Sequence, residues 1–517
     1  MIKNDCVKLV VLGGGSAGWL TALFLNKRYP EYNISVIEDP EQPPIIAGES
    51  GSSILTRFIS YLGIDLDDWI VTVNAMPKLG SEFYDWDGVG TKFTHGLVDN
   101  NYSNDWINVN QKNLTGKFWD DIDKDFLLFA ISENISLDEI FFCNKLIHNN
   151  RLPIVPHQIN STVIYKPVNP LMWHFDSRAN AEYLKNVGIK NGIELVEGKY
   201  IDSTQDLNGN ILSIKLKNNL EVSGDFFFDC SGFARLLTQK KLGITFKDLT
   251  DIFPARSVVA WWDDTPNWIN HTRVYAMEYG WSWNINLHHR AGNGYIYDPD
   301  LITDDQAIGE AEKRFGKKID PIAGITFTPS TISTPWHKNV IAIGISSGFL
   351  EPLESNGLTQ VISTLQLIER TWCIDPTEYA VKMFNEEYSA QQQEFIDFLS
   401  LHYRGHRRDT EFWRGHAYEK NRVTPRLQYI LDAWDEGQYP YDKYRVNVYG
   451  YESNLQVATG LNLFNKNKLK TRLLRIKPNL LKTFYDVYNN YNLDAAYIVN
   501  TGIAVTEWER KTYVSKI

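Results

Sequence analysis

Little in this chain could act as a covalent or metal staple. Its four cysteines (Cys6, Cys143, Cys230 and Cys373) are far apart in 517 residues and form no CxxC pair. That argues against a disulfide framework, a zinc ribbon or a thioredoxin-type centre, and points to reduced thiols in a cytoplasmic protein. No metal-ligand spacing accompanies them, so no metal is expected. No apolar run approaches the ~18 residues of a membrane span. The start, MIKNDCVKLVVLGGG, lacks a signal-peptide cleavage pattern and runs straight into glycines. Basic charge is short too: 52 Lys and Arg against 63 Asp and Glu leave a net charge of −11. Nucleic acid is thereby excluded as a main partner, because phosphate binding needs a basic face. The dense basic run His402 to Arg408 (HYRGHRR) reads as solvated surface or an anion contact. Repeats and low-complexity linkers are absent as well, which favours one interleaved fold over a string of modules.

Aromatic residues are plentiful. They make up 13% of the chain and include 16 tryptophans, enough for an aromatic-lined pocket as well as a core. Val7 to Leu12 (VKLVVL) has the short β-branched pattern of a parallel strand. It leads into Gly13-Gly14-Gly15-Ser16-Ala17-Gly18 and then WLTALFLNKRY, apolar at helical spacing. A second strand, Ile34 to Ile37, ends in Glu38, 20 residues past Gly18. A GxGxxG between strand and helix, with an acid about 20 residues on, is the context in which that loop binds a dinucleotide. Gly13 would make the turn, Gly15 admit the pyrophosphate, Gly18 let helix meet strand, and Glu38 hold a ribose hydroxyl. The alternative is a tight βα turn without a ligand.

Further along, Ile46 to Ser53 (IAGESGSS) is a polar Gly/Ser loop ahead of a helix, suited either to closing over a cofactor or to plain capping. Lys78, in MPKLGSEFYDW, reads by itself as a surface lysine. Residues 95–165 break the βαβ rhythm and read as an insertion. Trp173 to Asp176 ends a strand, with Asp176 or Ser177 capping the next helix. Strands follow near Ile193 to Tyr200 and Ile211 to Leu216, then FFFDCSGF, where Asp229 suits a second dinucleotide contact or a simple turn. A sheet-like middle section holds Trp281, Trp283 and Ile285 on one strand face. Val340 to Gly357 (VIAIGISSGFLEPLESNG) predicts a buried strand broken at Gly344. A small polar turn then delivers Glu351, Glu354 and Ser355 to a helix start, where backbone N–H groups favour an anion.

Together these pieces resemble the flavin-dependent halogenases of the tryptophan-halogenase type. The matching stretches are GGGSAGW (Gly13 to Trp19), AGES (Ala47 to Ser50), KLG (Lys78 to Gly80), HFD (His174 to Asp176), DCSGF (Asp229 to Phe233), WSWNI (Trp281 to Ile285) and GFLEPLES (Gly348 to Ser355). They keep the family's order, and His402-Tyr403 and Phe412-Trp413 extend the likeness. The resemblance implies an α/β fold: a Rossmann-like FAD-binding fold of the aromatic-hydroxylase type, with an inserted sheet and a mostly helical substrate-binding region. The expected division is 1–94 and 166–372 for FAD binding and the central sheet, and 95–165 and 373–517 for covering the substrate. FAD contacts would come from Gly13, Gly15, Ser16, Ala17, Gly18, Glu38, Gly48, Glu49, Asp229 and Gly344.

The resemblance also implies the activity. Reduced FAD, oxygen and halide yield hypohalous acid, which travels past Trp281 and Trp283 to a separate pocket holding a small aromatic substrate. Lys78 presents the oxidant there, Glu354 orients it or takes the ring proton, and Ser355 relays a hydrogen bond. The backbone of Asn356 and Gly357 holds the halide. A separate NAD(P)H flavin reductase is the expected partner, since no second dinucleotide loop occurs, and a homo-oligomer stays open. Two departures stand out. Asn286 replaces the proline that ends W-x-W-x-I-P, which leaves room for direct oxygenation of the substrate, and Asn356 replaces the threonine after PLES beside the expected halide site, so chloride, bromide and iodide all remain candidates. The competing readings are an FAD-dependent aromatic hydroxylase, which does not require the Lys78–Glu354 pair, and a flavin-binding protein without chemistry.

Overall fold

In the computed structural model the described residues are 7–42, 50–96, 124–159, 162–167, 171–440, 448–476, 496 and 498–514. They divide into two compact units, each made of three segments. One holds Met1–Ala75, Phe175–Phe253 and Phe327–Gln393; the other holds Met76–His174, Pro254–Thr326 and Glu394–Ile517.

The first unit is built on a six-stranded sheet. Its order is Glu194–Glu197, Asn33–Glu38, Lys8–Leu12, Phe226–Asp229, Val340–Ala342 and Trp336–His337. The first five strands run parallel, and the last pairs antiparallel. Parallel strands are covered on both faces, which is why they read as unbroken apolar runs such as LVVL and FFF. Val10, Leu12, Ile37, Phe227 and Val340 share one buried cluster with Ile214 and its neighbours. Each such side chain contributes about 1.5–3 kcal/mol by leaving water. The helix Ser16–Arg28 follows the first strand. The helix Ser177–Lys190 starts at Asp176, whose carboxylate accepts from the N–H groups of Arg178 and Ala179. The stretch expected as one strand from Ile193 to Tyr200 is two. Glu194–Glu197 joins the parallel sheet, while Tyr200–Gln205 opens a separate antiparallel one, because the chain turns at Gly198. There the Gly198 N–H donates to the Glu38 carbonyl, and Leu216 packs where a side chain would stand.

The second unit is built on a seven-stranded sheet ordered Ala323–Thr326, Ser257–Asp263, Ala291–Tyr297, Gly280–Asn286, Thr272–Ala276, Gly80–Tyr84 and Lys92–Gly96. Trp281 and Trp283 do share a face, with ring centroids 5.7 Å apart, and Trp283 lies over Gly294 on the next strand, where no side chain intervenes. This sheet moves the unit boundary from the expected one. Residues 254–326 group with the Lys78 segment and not with the nucleotide fold, because Thr272–Ala276 is hydrogen-bonded directly to Gly80–Tyr84. The helices Glu411–Tyr418, Pro425–Asp435, Tyr451–Gly460 and Lys466–Ile476 complete the unit's C-terminal part. Among the described residues, no helix is long and apolar enough to cross a membrane.

Candidate active site

In the first unit, the glycine loop has three glycines with three different surroundings. Gly13 sits at φ +124°, and a Cβ there would run into the Cys230 carbonyl. A Cβ on Gly18 would run into the Gly13 carbonyl, so both positions are set by close backbone packing. Around Gly15 no described residue lies within 4 Å of a Cβ placed there. The middle glycine therefore leaves its backbone open to a ligand while the outer two hold the turn, which is the division of labour a pyrophosphate needs. Ala17 and Gly344 are neighbours, with a Cβ on Gly344 reaching 3.4 Å from that of Ala17. The Ser16 hydroxyl accepts from the Asn180 amide at 3.1 Å, and Asn180 in turn accepts from the Trp69 indole at 2.8 Å.

Two acids expected at the cofactor are already engaged. Glu38 is ion-paired with Lys185 at 3.1 Å and packs against Gly14. Asp229 is fully buried and accepts from the N–H and hydroxyl of Ser231, the N–H groups of Leu237 and Thr238, and the Thr238 hydroxyl. Both of its oxygens thus shape the turn after the strand, which is the simpler of the two readings open from sequence. Gly48 and Glu49 lie outside the described residues.

The stretch from Gly344 to Gly357 holds several left-handed residues in close succession. Gly344 adopts φ +66°, and its carbonyl accepts from the Ser347 N–H and hydroxyl. Glu354 and Ser355 then take left-handed conformations in succession, with φ of 60° and 58°. Non-glycine residues hold such angles at a cost of about 1–3 kcal/mol each, and they cluster at functional sites. The 16-residue helix begins at Asn356, two residues earlier than the sequence pattern suggests. The Asn356 amide donates to the Leu353 carbonyl at 2.6 Å, while its Oδ1 is buried with no hydrogen-bond partner among the described residues. Gly357, in the first turn, has open space on its Cβ side. A helix start with free N–H groups beside a side-chain-free position can take a small anion. Glu351 is buried at 2% exposure and belongs to the packing.

In the second unit Lys78 is 2% exposed, which overturns the surface lysine that the isolated residue suggests. The three-residue strand Met76–Lys78 pairs antiparallel with Met172–His174. The next N–H, that of Leu79, donates to the Asn270 carbonyl at 2.6 Å. Asn270 itself donates to the carbonyls of Leu146 and Arg151, so the backbone at Lys78 is pinned by residues distant in sequence. His174 shares the Lys78 face of this ribbon by register, is fully buried and lies 2.8 Å from the Thr272 hydroxyl. Burial, then the charge of Lys78 and of His271, depress its pKa far below the usual imidazole value, and a backbone contact with Asn286 opposes them. The imidazole is therefore neutral. In the seven-stranded sheet, burial tends to raise the Glu82 carboxyl, but hydrogen bonds from His271, Lys92 and Tyr84 outweigh it and hold the group well below the carboxylate range.

Sequence reasoning missed part of this unit's polar lining. His402 is fully buried rather than solvated, with its Nδ1 2.9 Å from the Phe398 carbonyl and its ring against Phe83 and Trp86. His95 is buried against Phe398. Arg407, in the same basic run, is buried too and bonds Asp409 and the Ala276 carbonyl. Only the aromatic neighbours in HY and FW hinted that this run turns inward.

Comparison with known proteins agrees with this arrangement. The sequence profile of the tryptophan halogenases matches residues 8–474. The tryptophan 6-halogenase ThaL of Streptomyces albogriseolus is 29% identical over 519 residues, covering 92% of this chain and 93% of its own. The tryptophan 7-halogenase RebH of Lentzea aerocolonigenes is 29% identical over 453 residues, covering 83% and 82%. A solved tryptophan halogenase from Shewanella frigidimarina superposes with a TM-score of 0.85 at 23% identity, over 99% of this chain and 98% of its own, and so shares the fold. With an open-backed glycine loop, a strained Glu-Ser helix start and a buried lysine all falling inside the matched span, the chain belongs to the tryptophan halogenase family.

Proposed function

We propose that this flavin-dependent halogenase acts on an electron-rich aromatic small molecule of the phenol or indole class. ThaL and RebH are by name tryptophan halogenases, and tryptophan is one member of that class. Gly13 to Gly18 and Gly344 would hold FAD, which when reduced would supply the electrons with which oxygen oxidises halide. The halide rests on the backbone N–H groups of Asn356 and Gly357 at the helix start.

The protein's own residues then handle the oxidised halogen. The Lys78 ammonium donates a hydrogen bond to the oxygen of hypohalous acid, which draws electrons from the halogen. The halogen–oxygen bond breaks as the ring carbon bonds the halogen, and the departing hydroxide takes a proton from the Lys78 ammonium to leave as water, a proton that Lys78 regains before the next turnover. Glu354 takes the proton that the same ring carbon must lose, and Ser355 supports that carboxylate. The observation that carries this reading is Lys78: a lysine at 2% exposure, on a strand paired with Met172–His174 and followed by the Leu79–Asn270 bond, beside an imidazole kept neutral. A neutral neighbour leaves Lys78 as the one cation on that strand face.

A separate NAD(P)H flavin reductase delivers the reduced FAD. A cytoplasmic location fits Cys143, Cys230 and Cys373, which form no disulfide among the described residues. The test supplies reduced FAD, oxygen and chloride, bromide or iodide with a panel of phenols and indoles, and reads product masses. Halogenated product is expected. A gain of one oxygen without halogen would replace this reading with the hydroxylase.

A further inference from the structure

The first unit contains a buried cation that the proposed reaction does not use. Arg235 is 8% exposed and sits six residues beyond the strand Phe226–Asp229, at the carboxyl end of the parallel sheet. Ligands of doubly wound sheets bind at that end. Its backbone is left-handed, at φ 46°. The guanidinium lies over the Phe246 ring at 3.7 Å and donates from Nη2 to the Ser330 hydroxyl at 2.7 Å. Nε is buried and makes no hydrogen bond among the described residues. Among the described residues no carboxylate forms an ion pair with it. The acid whose field reaches it, Asp229, has both oxygens committed to the 231–238 turn.

A buried guanidinium without an anion is costly, and an aromatic lid on one face worsens its access to water. We propose that Arg235 forms a halide-binding site in the nucleotide unit, with Nε–H as its donor and the Phe246 ring as its apolar wall. The chemistry selects a monatomic anion. One buried donor beside an aromatic ring suits a weakly hydrated halide, whereas a pyrophosphate needs several donors. The place is also connected to the proposed reaction. Ser330 pairs with Phe349 in a small sheet, and the Ser346 hydroxyl donates to the Gly232 carbonyl at the start of the Arg235 turn. Both links run into the segment that ends at Asn356 and Gly357. This site would hold halide ahead of those backbone donors, and its role in turnover rests on the halogenase reading.

The test is a bromide soak of crystals of the full chain, read by anomalous scattering, together with halide KM, arene KM and FAD affinity for Arg235→Gln and Arg235→Lys. A bromide peak within hydrogen-bonding reach of Nε is expected. Arg235→Gln should raise halide KM about tenfold with arene KM and FAD affinity unchanged, and Arg235→Lys should recover part of the loss. A peak confined to the 356–357 backbone, or an unchanged halide KM in Arg235→Gln, overturns the site. Weakened FAD with unaltered halide binding also overturns it, because the anion is then a flavin phosphate. If Arg235→Gln does not fold, the wild-type peak and the Arg235→Lys kinetics decide. Bromide bound at Arg235 in a protein that halogenates no arene would sustain the site and sink the functional reading instead.

Discussion

The two units build their functional ends by opposite means. In the nucleotide unit, the shape comes from backbone. Gly13 and Gly18 are pressed against carbonyls, Gly15 is left open, and Glu354 and Ser355 hold left-handed angles just before a helix. These features are spelled by consecutive residues. In the other unit, the site comes from side chains brought together from afar. Lys78 is held by a strand ninety-odd residues on, by Asn270 and by the His174–Thr272 contact. Backbone-made sites are local and readable, whereas side-chain-made sites depend on register, and a one-residue slip would turn Lys78 to the other face.

The sharpest break of this comparison is Lys78→Ala. Halogenation should fall at least about 10³-fold, because a buried charge acting on the oxidant in low dielectric has no substitute. Oxygen-dependent flavin reoxidation should continue with release of peroxide. Near-normal halogenation would remove Lys78 from the mechanism. Next in size is Glu354→Gln, which keeps the side-chain volume and loses the base. About a 10²-fold slower halogenation is expected, with FAD affinity unchanged. Loss of FAD binding in a fluorescence titration would make Glu354 structural instead.

Gly15→Val probes the nucleotide unit. Among the described residues nothing lies within 4 Å of a Cβ at this position. The variant should therefore fold with a normal melting temperature yet bind FAD about tenfold or more weakly, since the ligand's approach is blocked. Unaltered FAD affinity would place the pyrophosphate elsewhere.

The smallest effect is a pH dependence in the second unit. Glu394 is buried, and burial pushes its carboxyl up to about 7 despite hydrogen bonds from the Tyr449 and Val448 backbone. A carboxyl whose folded pKa is raised adds stability below its unfolded pKa and loses it as pH rises toward the folded value. Between pH 5 and pH 8 that loss amounts to about 2 kcal/mol. Glu394→Gln should flatten the pH dependence of urea midpoints over this window. An identical slope in variant and parent would show that Glu394 titrates normally.

How much of this was legible beforehand follows the same contrast. The parallel strands, the glycine loop, the Asp176 cap and the anion-friendly helix start could be read directly, since each depends on residues within one or two turns of chain. Spacing marks Glu38 and Asp229 as cofactor contacts, but it says nothing of Lys185, which pairs with Glu38, or of the turn that engages Asp229. Lys78 looked like surface for the same reason. The HYRGHRR run looked solvated because its charge is visible in the sequence and its burial is not.

Sequence alone determined the family resemblance, the nucleotide fold and the stretch from Val340 to Gly357, because local spacing and glycine placement are written in consecutive letters. Tertiary structure alone decided that Lys78 is buried beside a neutral His174, that His95 and His402 face an aromatic interior, and that Arg235 is a buried cation with no carboxylate paired to it among the described residues. Burial and charge balance are set by what packs against a residue, and those neighbours come from segments that the sequence lists far apart.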